Sequence, residues 1–229
     1  MEVMRNFGPE NNFLARVREL ADKKNIVFIF DECSSGFRET LGGLHLKYDE
    51  EPDVATFGKA SGNGFGINAV IGKRSIMETA QNSFISRTFW TERVDPVAAL
   101  ATLAVMGRER SWETITRIGK YTKARWIEIF SSTELDAVIG GLDAFPSFNL
   151  KVPDPLATKT FITQKMLSRN YLASNLFFPA IVHDKISLDG YLSNCQEVLE
   201  RLCDLLKSGV SVDKELWGSP CHVGFKRLN

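Results

Sequence analysis

The stretch IVFIFDE occupies residues 26–32 and carries a strong signal for the fold of this chain. Its first five residues are all apolar and do not alternate with polar ones, which is typical of a central parallel strand covered on both faces. A helix is predicted just before it, because apolar residues recur at helical spacing across 13–21 and Asn11 or Asn12 can cap the segment. The strand ends in Asp31 and Glu32, and ligands of open α/β sheets bind beyond the carboxyl ends of strands. This acidic pair is therefore a candidate for a binding site, although such pairs are also common in solvated loops and helix caps.

Two further short strands are predicted downstream, at 53–57 and 67–72. The glycine-rich turn GKASGNGFG (58–66) lies between them and contains Lys59. Small residues in such a turn let a flat ligand approach the backbone closely. Taken alone, a lysine in such a turn is usually an ordinary surface lysine. The turn lacks the G-x-G-x-x-G spacing of a dinucleotide-binding loop, so a nucleotide site is not predicted.

The remaining pattern predicts an α/β protein with two domains. Helices are expected at 75–82 and from Pro96 onward, because proline is favoured in the first turn of a helix. The character of the sequence changes near residue 110, which divides the chain into domains 1–110 and 111–229. The predicted elements of the second domain are helices at 112–130, 155–169 and 188–206 and a strand within SFNLKV (147–152).

Composition and charge exclude several classes of function. The 229 residues include 28 basic and 28 acidic side chains, so neither a nucleic acid nor an anionic membrane is expected as the main partner. No apolar run approaches the length of a membrane span. The four cysteines form no CxxC pair and no cysteine–histidine cluster has zinc-ligand spacing, so no metal site is predicted. Four free thiols are typical of a cytoplasmic protein. No histidine belongs to a recognisable serine or cysteine motif, so a hydrolytic triad lacks support.

Three blocks in order resemble the class-III aminotransferase family, and most of all its branch related to glutamate-1-semialdehyde aminomutase. They are IFDECSSGFRETLGG (29–43), PDVATFGKASGNGFGINAVIGKRSIM (52–77) and TFWTERVDPVAALATL (88–103). In that family the first block reads roughly D-E-V-x-x-G-F-R and the second GKxxGxGxPxxAxxG. The resemblance implies a part of the type I, aspartate aminotransferase-like fold of transferases that use pyridoxal 5′-phosphate (PLP). We therefore expect a mostly parallel remnant of the large-domain sheet in 1–110 and a smaller α/β domain in 111–229.

The resemblance also implies roles for single residues. Lys59 would form the Schiff base with the cofactor aldehyde and move protons, while Asp31 would hold the pyridine nitrogen protonated. Ser34 matches a position near the cofactor ring and its 3-hydroxyl. Thr91 matches a hydroxyl that reaches the phosphate, typically in the neighbouring subunit of a homodimer, and Thr88 is the second candidate. For Glu32, a functional and a structural role are both left open.

The resemblance implies that the protein is a transaminase or aminomutase that acts on small-molecule amines and carbonyl compounds. Arg87 and Arg93 are candidates to pair with a substrate carboxylate, although solvation at the surface is the simpler interpretation. The chain departs from the family at Gly66, where proline is common, and at Asp95, where Asn or His precedes Pro. The part of the family pattern that cradles the phosphate and stacks on the ring is not found in it. The alternative hypothesis is therefore a catalytically inactive remnant that acts as an interaction or regulatory domain.

Overall fold

A computed structural model describes residues 8–85, 88–89 and 91–222 of the chain. The chain divides into two compact units, Met1–Thr116 and Arg117–Asn229. The division falls inside a long helix, several residues beyond the predicted domain boundary at 110. That the two predicted domains are the cofactor-binding and small domains of an enzyme stays a prediction.

The first unit contains a small sheet with helices before and after it. Its elements are α1 (Phe13–Lys24), β1 (Ile29–Asp31), β2 (Val54–Phe57), β3 (Ala69–Gly72), α2 (Arg74–Ala80) and α3 (Val94–Glu109). Helix α1 ends where Asn25 adopts a left-handed conformation (φ 54°), from which its N–H donates to the carbonyl oxygens of Ala21 and Asp22. Asn12 precedes α1 as predicted, but its side chain makes no capping hydrogen bond.

The sheet of the first unit is mixed rather than mostly parallel. Strand β1 pairs with β2 in parallel, with Asp31 opposite Thr56. Strand β2 pairs with β3 antiparallel, because residues 58–68 form a short connection without the crossover helix that a parallel pair requires. The order β1–β2–β3 puts β1 at an edge of this sheet, where the side chain of Ile29 is 54% exposed and that of Phe30 is buried. The prediction that this strand is central is therefore wrong. The prediction that both of its faces are covered is wrong for Ile29.

The second unit packs helices against a two-stranded antiparallel sheet. Its elements, with the long helix that begins in the first unit, are α4 (Ser111–Thr133), β4 (Ala137–Leu142), β5 (Phe145–Leu150), α5 (Pro155–Leu167) and α6 (Lys185–Lys207). Each of the three predicted helices of the second domain is present, with bounds within three residues of those expected. The centre of its core contains side chains that are at most 1% exposed, among them Trp126, Phe148, Phe161, Leu199 and Leu202. Cys195 on α6 is buried among these apolar residues, as its spacing predicts.

Candidate functional site

The candidate site lies at the carboxyl ends of the parallel strands β1 and β2. Asp31 is the last residue of β1, and Lys59 follows the end of β2 by two residues. Because the two strands are parallel, their carboxyl ends share one edge of the sheet, and both residues project from that edge. The backbone N–H of Glu32 donates to the carbonyl oxygen of Thr56 (3.0 Å) and extends the pairing by one residue into the site.

The carboxylate of Asp31 is held by two donors on one oxygen. Its Oδ1 atom accepts hydrogen bonds from the backbone N–H of Cys33 (3.2 Å) and from the hydroxyl of Thr56 (2.9 Å). The Cys33 bond is the largest cause that lowers the pKa of Asp31; the Thr56 bond and the positive charge of Lys59 act in the same direction, against the effect of burial. Asp31 is therefore ionised at neutral pH.

The side chain of Lys59 is tied to the loop that follows β1. Its Nζ atom donates a hydrogen bond to the hydroxyl oxygen of Ser34. Ser34 is itself placed by Arg38, whose Nε atom donates to the Ser34 carbonyl oxygen (2.6 Å). Lys59 begins a single helical turn, Lys59–Ser61. Its backbone is left-handed (φ 45°), which is uncommon for a residue other than glycine. The structure thus brings together the predicted site residues Asp31, Ser34 and Lys59.

Two glycines allow the loop after β1 and the turn after β2 to approach each other. A Cβ atom on Gly58 would overlap the side chain of Asn68 and lie 2.9 Å from the Cys33 sulfur. A Cβ atom on Gly36 would lie 2.7 Å from the ring of Phe57 and 2.9 Å from the carbonyl oxygen of Glu32. All of these distances are shorter than ordinary van der Waals contact. Glycine at positions 36 and 58 therefore allows the segments that carry Ser34 and Lys59 to meet.

Glu32 has a structural role that the sequence left open. Its carboxylate is completely buried and accepts hydrogen bonds from the backbone N–H groups of Leu44 and His45 (2.5 and 2.9 Å). The Nδ1 atom of His45 lies 2.9 Å from the same carboxylate. Since a buried carboxylate is stable only when its oxygens are satisfied, Glu32 anchors the 43–45 turn beneath the site and faces away from solvent.

Two threonines before α3, Thr88 and Thr91, lie outside this hydrogen-bonded group. Thr88 and Thr91 are both exposed, and the bonds that join Asp31, Thr56, Ser34 and Lys59 do not extend to either of them. Arg93 is exposed as well, whereas Arg87 lies outside the described residues. The predicted phosphate contact of Thr91 therefore stays a prediction.

The two departures from the family pattern meet in space. The backbone N–H of Gly66, in the turn after Lys59, donates to the Oδ1 atom of Asp95 in the first turn of α3 (3.3 Å). A proline at position 66 would have no hydrogen to donate. The glycine and the aspartate are thus matched to each other, and their contact ties the turn after Lys59 to the beginning of α3.

Sequence reasoning missed Thr56 as a member of the site. It lies opposite Asp31 in the parallel pair and its hydroxyl holds the carboxylate. Threonine is common in strands, so nothing in DVATF distinguishes this residue from an ordinary strand position. The signal that could have found it is its register with Asp31, which is visible only once β1 and β2 are paired.

Neither a metal centre nor a membrane-spanning helix is present among the described residues. Within 8–85, 88–89 and 91–222, no three histidine, cysteine or acidic side chains are arranged so as to hold a metal ion. In the same part of the chain, none of the helices has both the length and the apolar character needed to cross a membrane.

The chain is similar in sequence to curated aminotransferases and aminomutases. It is 39% identical over 113 residues to the 3-aminobutyryl-CoA aminotransferase of Cloacimonas acidaminovorans, a match that covers 49% of this chain and 27% of that protein. It is 32% identical over 146 residues to the glutamate-1-semialdehyde 2,1-aminomutase of Methanococcoides burtonii, covering 61% of this chain and 35% of that protein. The matches thus span about a third of the length of these curated relatives.

Solved structures show the same fold. The FumI protein of Sphingopyxis sp. MTA144, in its PLP internal aldimine form, matches with a TM-score of 0.79 at 19% identity, over 89% of this chain and 49% of that one. An omega-transaminase from Sphaerobacter thermophilus matches with a TM-score of 0.76 at 20% identity, over 85% of this chain and 48% of that one. The expected fold, a part of the type I fold of PLP-dependent transferases, is confirmed, and this chain spans about half the length of the solved chains.

The profile of the family described as aminotransferase class-III matches residues 6–167. This range contains all three blocks on which the resemblance was based, together with Asp31, Ser34, Lys59 and Thr91. The chain therefore belongs to the class-III aminotransferase family.

Proposed function

We propose that this chain carries the cofactor lysine and the ring-nitrogen carboxylate of a PLP-dependent transaminase or aminomutase. One observation carries the proposal: Lys59 and the ionised Asp31 project from the same edge of the sheet, and the Lys59 amine is bonded to Ser34. The family membership of the chain supports the same chemistry. The substrates would be a small primary amine and a small carbonyl compound, which exchange the amino group.

The residues of the site fit PLP by their chemistry. When bound, PLP supplies an aldehyde that captures an amine and an electron-accepting ring that makes transfer of the amino group possible. Lys59 would provide the amine that bonds to the aldehyde carbon with loss of water, and it would return or accept a proton at the substrate carbon. Asp31 would hold a proton on the ring nitrogen, because its carboxylate stays negative at neutral pH. Ser34 accepts a hydrogen bond from the Lys59 amine and would offer its hydroxyl to the 3-oxygen of the ring.

We also propose that the active form is a homodimer in which Thr91 reaches the phosphate in the site of the second copy. Helix α3 begins three residues after Thr91 and exposes an apolar stripe formed by Val94, Val97, Leu100 and Ala101. The exposed side chain of Phe65 lines the same groove beside this stripe. An exposed apolar stripe that adjoins a residue with a proposed role in a neighbouring site favours a second copy as its occupant.

A cytoplasmic location is part of the proposal. All four cysteines are described, and no disulfide joins any of them. Free thiols persist in reducing compartments, which supports this location. Cell fractionation that recovers the native protein in an oxidising compartment would contradict it.

The second candidate function is an inactive remnant that serves as an interaction or regulatory domain. One observation favours it. The side chains of Asp31 and Lys59 are both exposed in this chain, whereas catalysis by a desolvated amine needs a site that excludes water. Cofactor binding separates the two candidates.

The test is the visible absorbance of the purified chain after PLP is added and unbound PLP is removed. The wild type should show the band of lysine-bound PLP, and Lys59→Ala should abolish it because Lys59 is the lysine whose charge acts on Asp31. Lys24→Ala is the matched control, since Lys24 is an exposed lysine in the last turn of α1, and it should leave the band unchanged. An amine donor should then bleach the wild-type band. A wild-type chain that shows no band supports the inactive remnant instead.

A further inference from the structure

Thr56 forms hydrogen bonds with the side chain of Asp31 and with the backbone N–H of Glu32. Its carbonyl oxygen accepts from the Glu32 N–H (3.0 Å), and its hydroxyl donates to the Oδ1 atom of Asp31 (2.9 Å). The parallel register places Thr56 directly opposite Asp31. Thr56 of β2 therefore holds both the backbone and the side chain at the end of β1 by hydrogen bonds.

The two oxygens of the Asp31 carboxylate have different surroundings. Oδ1 accepts from Thr56 and from the Cys33 N–H, so both of its lone-pair directions are used. Oδ2 accepts no hydrogen bond from any residue within 8–85, 88–89 or 91–222. The carboxylate is thus anchored through one oxygen, and the other is left for a donor that the described chain does not supply.

Thr56 also connects the position of Asp31 to that of Lys59. Only Phe57 and Gly58 separate Thr56 from Lys59 along the chain, and the Lys59 amine is bonded to Ser34 in the loop after β1. The segments that carry the carboxylate and the amine are therefore joined by one side-chain bond at Thr56 and a second at Ser34. A shift of β2 relative to β1 would move both groups at once.

We propose that Thr56 is a positioning residue, whose hydroxyl holds Oδ1 of Asp31 so that Oδ2 is presented to the ring nitrogen of PLP. This inference rests on the proposed function. It adds a residue that the resemblance to the family did not assign. A side chain fixed by a neighbour loses less freedom when its ligand binds, and this lowers the cost of binding.

Thr56→Val is the direct test, because valine keeps the branched shape in a strand and removes only the hydroxyl. Loss of one net hydrogen bond to a partly exposed group is expected to weaken PLP binding by about 3- to 10-fold. Thr56→Ser keeps the donor and should stay within about 2-fold of the wild type, on the same scale of a single hydrogen bond. Affinity is measured by titrating the visible absorbance of the full chain with PLP, and thermal melting verifies that each variant is folded.

A second readout does not require the cofactor. Carbon NMR of the side-chain carboxyl groups gives the pKa of Asp31 in the chain without added PLP. Removing a donor to the charged form should raise the Asp31 pKa in Thr56→Val, and Thr56→Ser should restore it. If Thr56→Val does not fold, the comparison of Thr56→Ser with Thr56→Cys decides, since a thiol is a weaker donor and should raise the same pKa.

The outcomes separate the two proposals. A raised Asp31 pKa and weaker PLP binding in Thr56→Val, both restored by serine, support the positioning role. An unchanged Asp31 pKa, or a serine variant that resembles the valine variant, overturns it. If the wild type binds no PLP, the proposed function fails, and the NMR comparison still decides whether Thr56 positions Asp31.

Discussion

Four acidic residues of the first unit show how much the surroundings of one residue decide its role. Asp31 and Glu32 are adjacent in the sequence, yet the first is exposed at the site and the second is completely buried beneath it. Alternation along a strand points successive side chains to opposite faces, which explains the difference. Asp53 immediately precedes β2 and is buried beside Arg18 and Lys73, while Asp95 accepts a hydrogen bond from a backbone N–H of the turn after Lys59.

Asp53 should make the stability of the first unit depend on acid. Its carboxylate binds Lys73 (2.8 Å), the N–H of Phe28 (2.8 Å) and Arg18 (3.0 Å), and these contacts lower its pKa to about 2. In the unfolded chain the pKa is about 3.9, so the stabilisation is fully present above that pH and is lost as the pH falls toward 2. With allowance for solvent around the half-exposed Lys73, it amounts to about 1 to 2 kcal/mol at neutral pH.

Urea unfolding of the wild type and Asp53→Asn measures this contribution. The variant should be less stable at pH 7, and the difference should shrink between pH 4 and pH 2 because protonation of the wild type removes the same charge. Asp204→Asn, which removes an exposed carboxylate from α6, is the control and should show little change at either pH. A difference for Asp53→Asn that persists undiminished at pH 2 would contradict the charge-based explanation.

At the scale of elements, helices followed from the sequence more closely than strands did. The spacing of apolar residues predicts α4 and α6 because a helix is stabilised by its own hydrogen bonds and by one continuous face. Strand β1 was expected to be longer and central, but it contains only Ile29–Asp31 and lies at an edge. A strand is defined by its partners, and a run of apolar residues does not specify how many partners it has.

Replacement by alanine should lower the stability at one helical glycine, Gly119, and raise it at another, Gly107. A Cβ atom on Gly119 of α4 would overlap the carbonyl oxygen of Asp143, which belongs to the turn between β4 and β5. Backbone at this contact cannot move aside cheaply, so Gly119→Ala should destabilise the second unit by about 1 to 3 kcal/mol. On Gly107 of α3 the nearest atom to a Cβ would be 3.9 Å away, in Leu41, so Gly107→Ala should stabilise by up to about 1 kcal/mol through helix propensity.

Thermal melting and urea unfolding of the two variants check this pair. Since alanine is the better helix former at both positions, a difference in sign can come only from the contact at Gly119. Equal stabilisation by both substitutions would mean that α4 does not approach the β4–β5 turn as closely as described.

At the scale of the whole molecule, the exposed stripe on α3 should control self-association. Leu100 lies in the middle of the stripe and is 68% exposed, so a charged residue there should change the stability of the isolated chain little. The same charge would be unfavourable inside an apolar interface. Leu100→Glu should therefore shift the chain from dimer to monomer in analytical ultracentrifugation. Glu109→Lys, at the exposed end of the same helix, should leave the dimer intact. A wild-type chain that is monomeric at high concentration would remove the support for a shared site.

The sequence by itself determined which residues belong to the family pattern and where the helices run. The order of the three blocks was enough to select Asp31, Ser34 and Lys59, because a family pattern records which residue types recur at which spacing. The tertiary structure alone decided which oxygen of Asp31 is held, that Glu32 supports the 43–45 turn, and that the sheet is mixed. It also showed that Thr56 faces Asp31 and that Gly66 meets Asp95. Each of these depends on a contact between residues 12 to 29 positions apart, and such contacts are set by how strands pair and loops close.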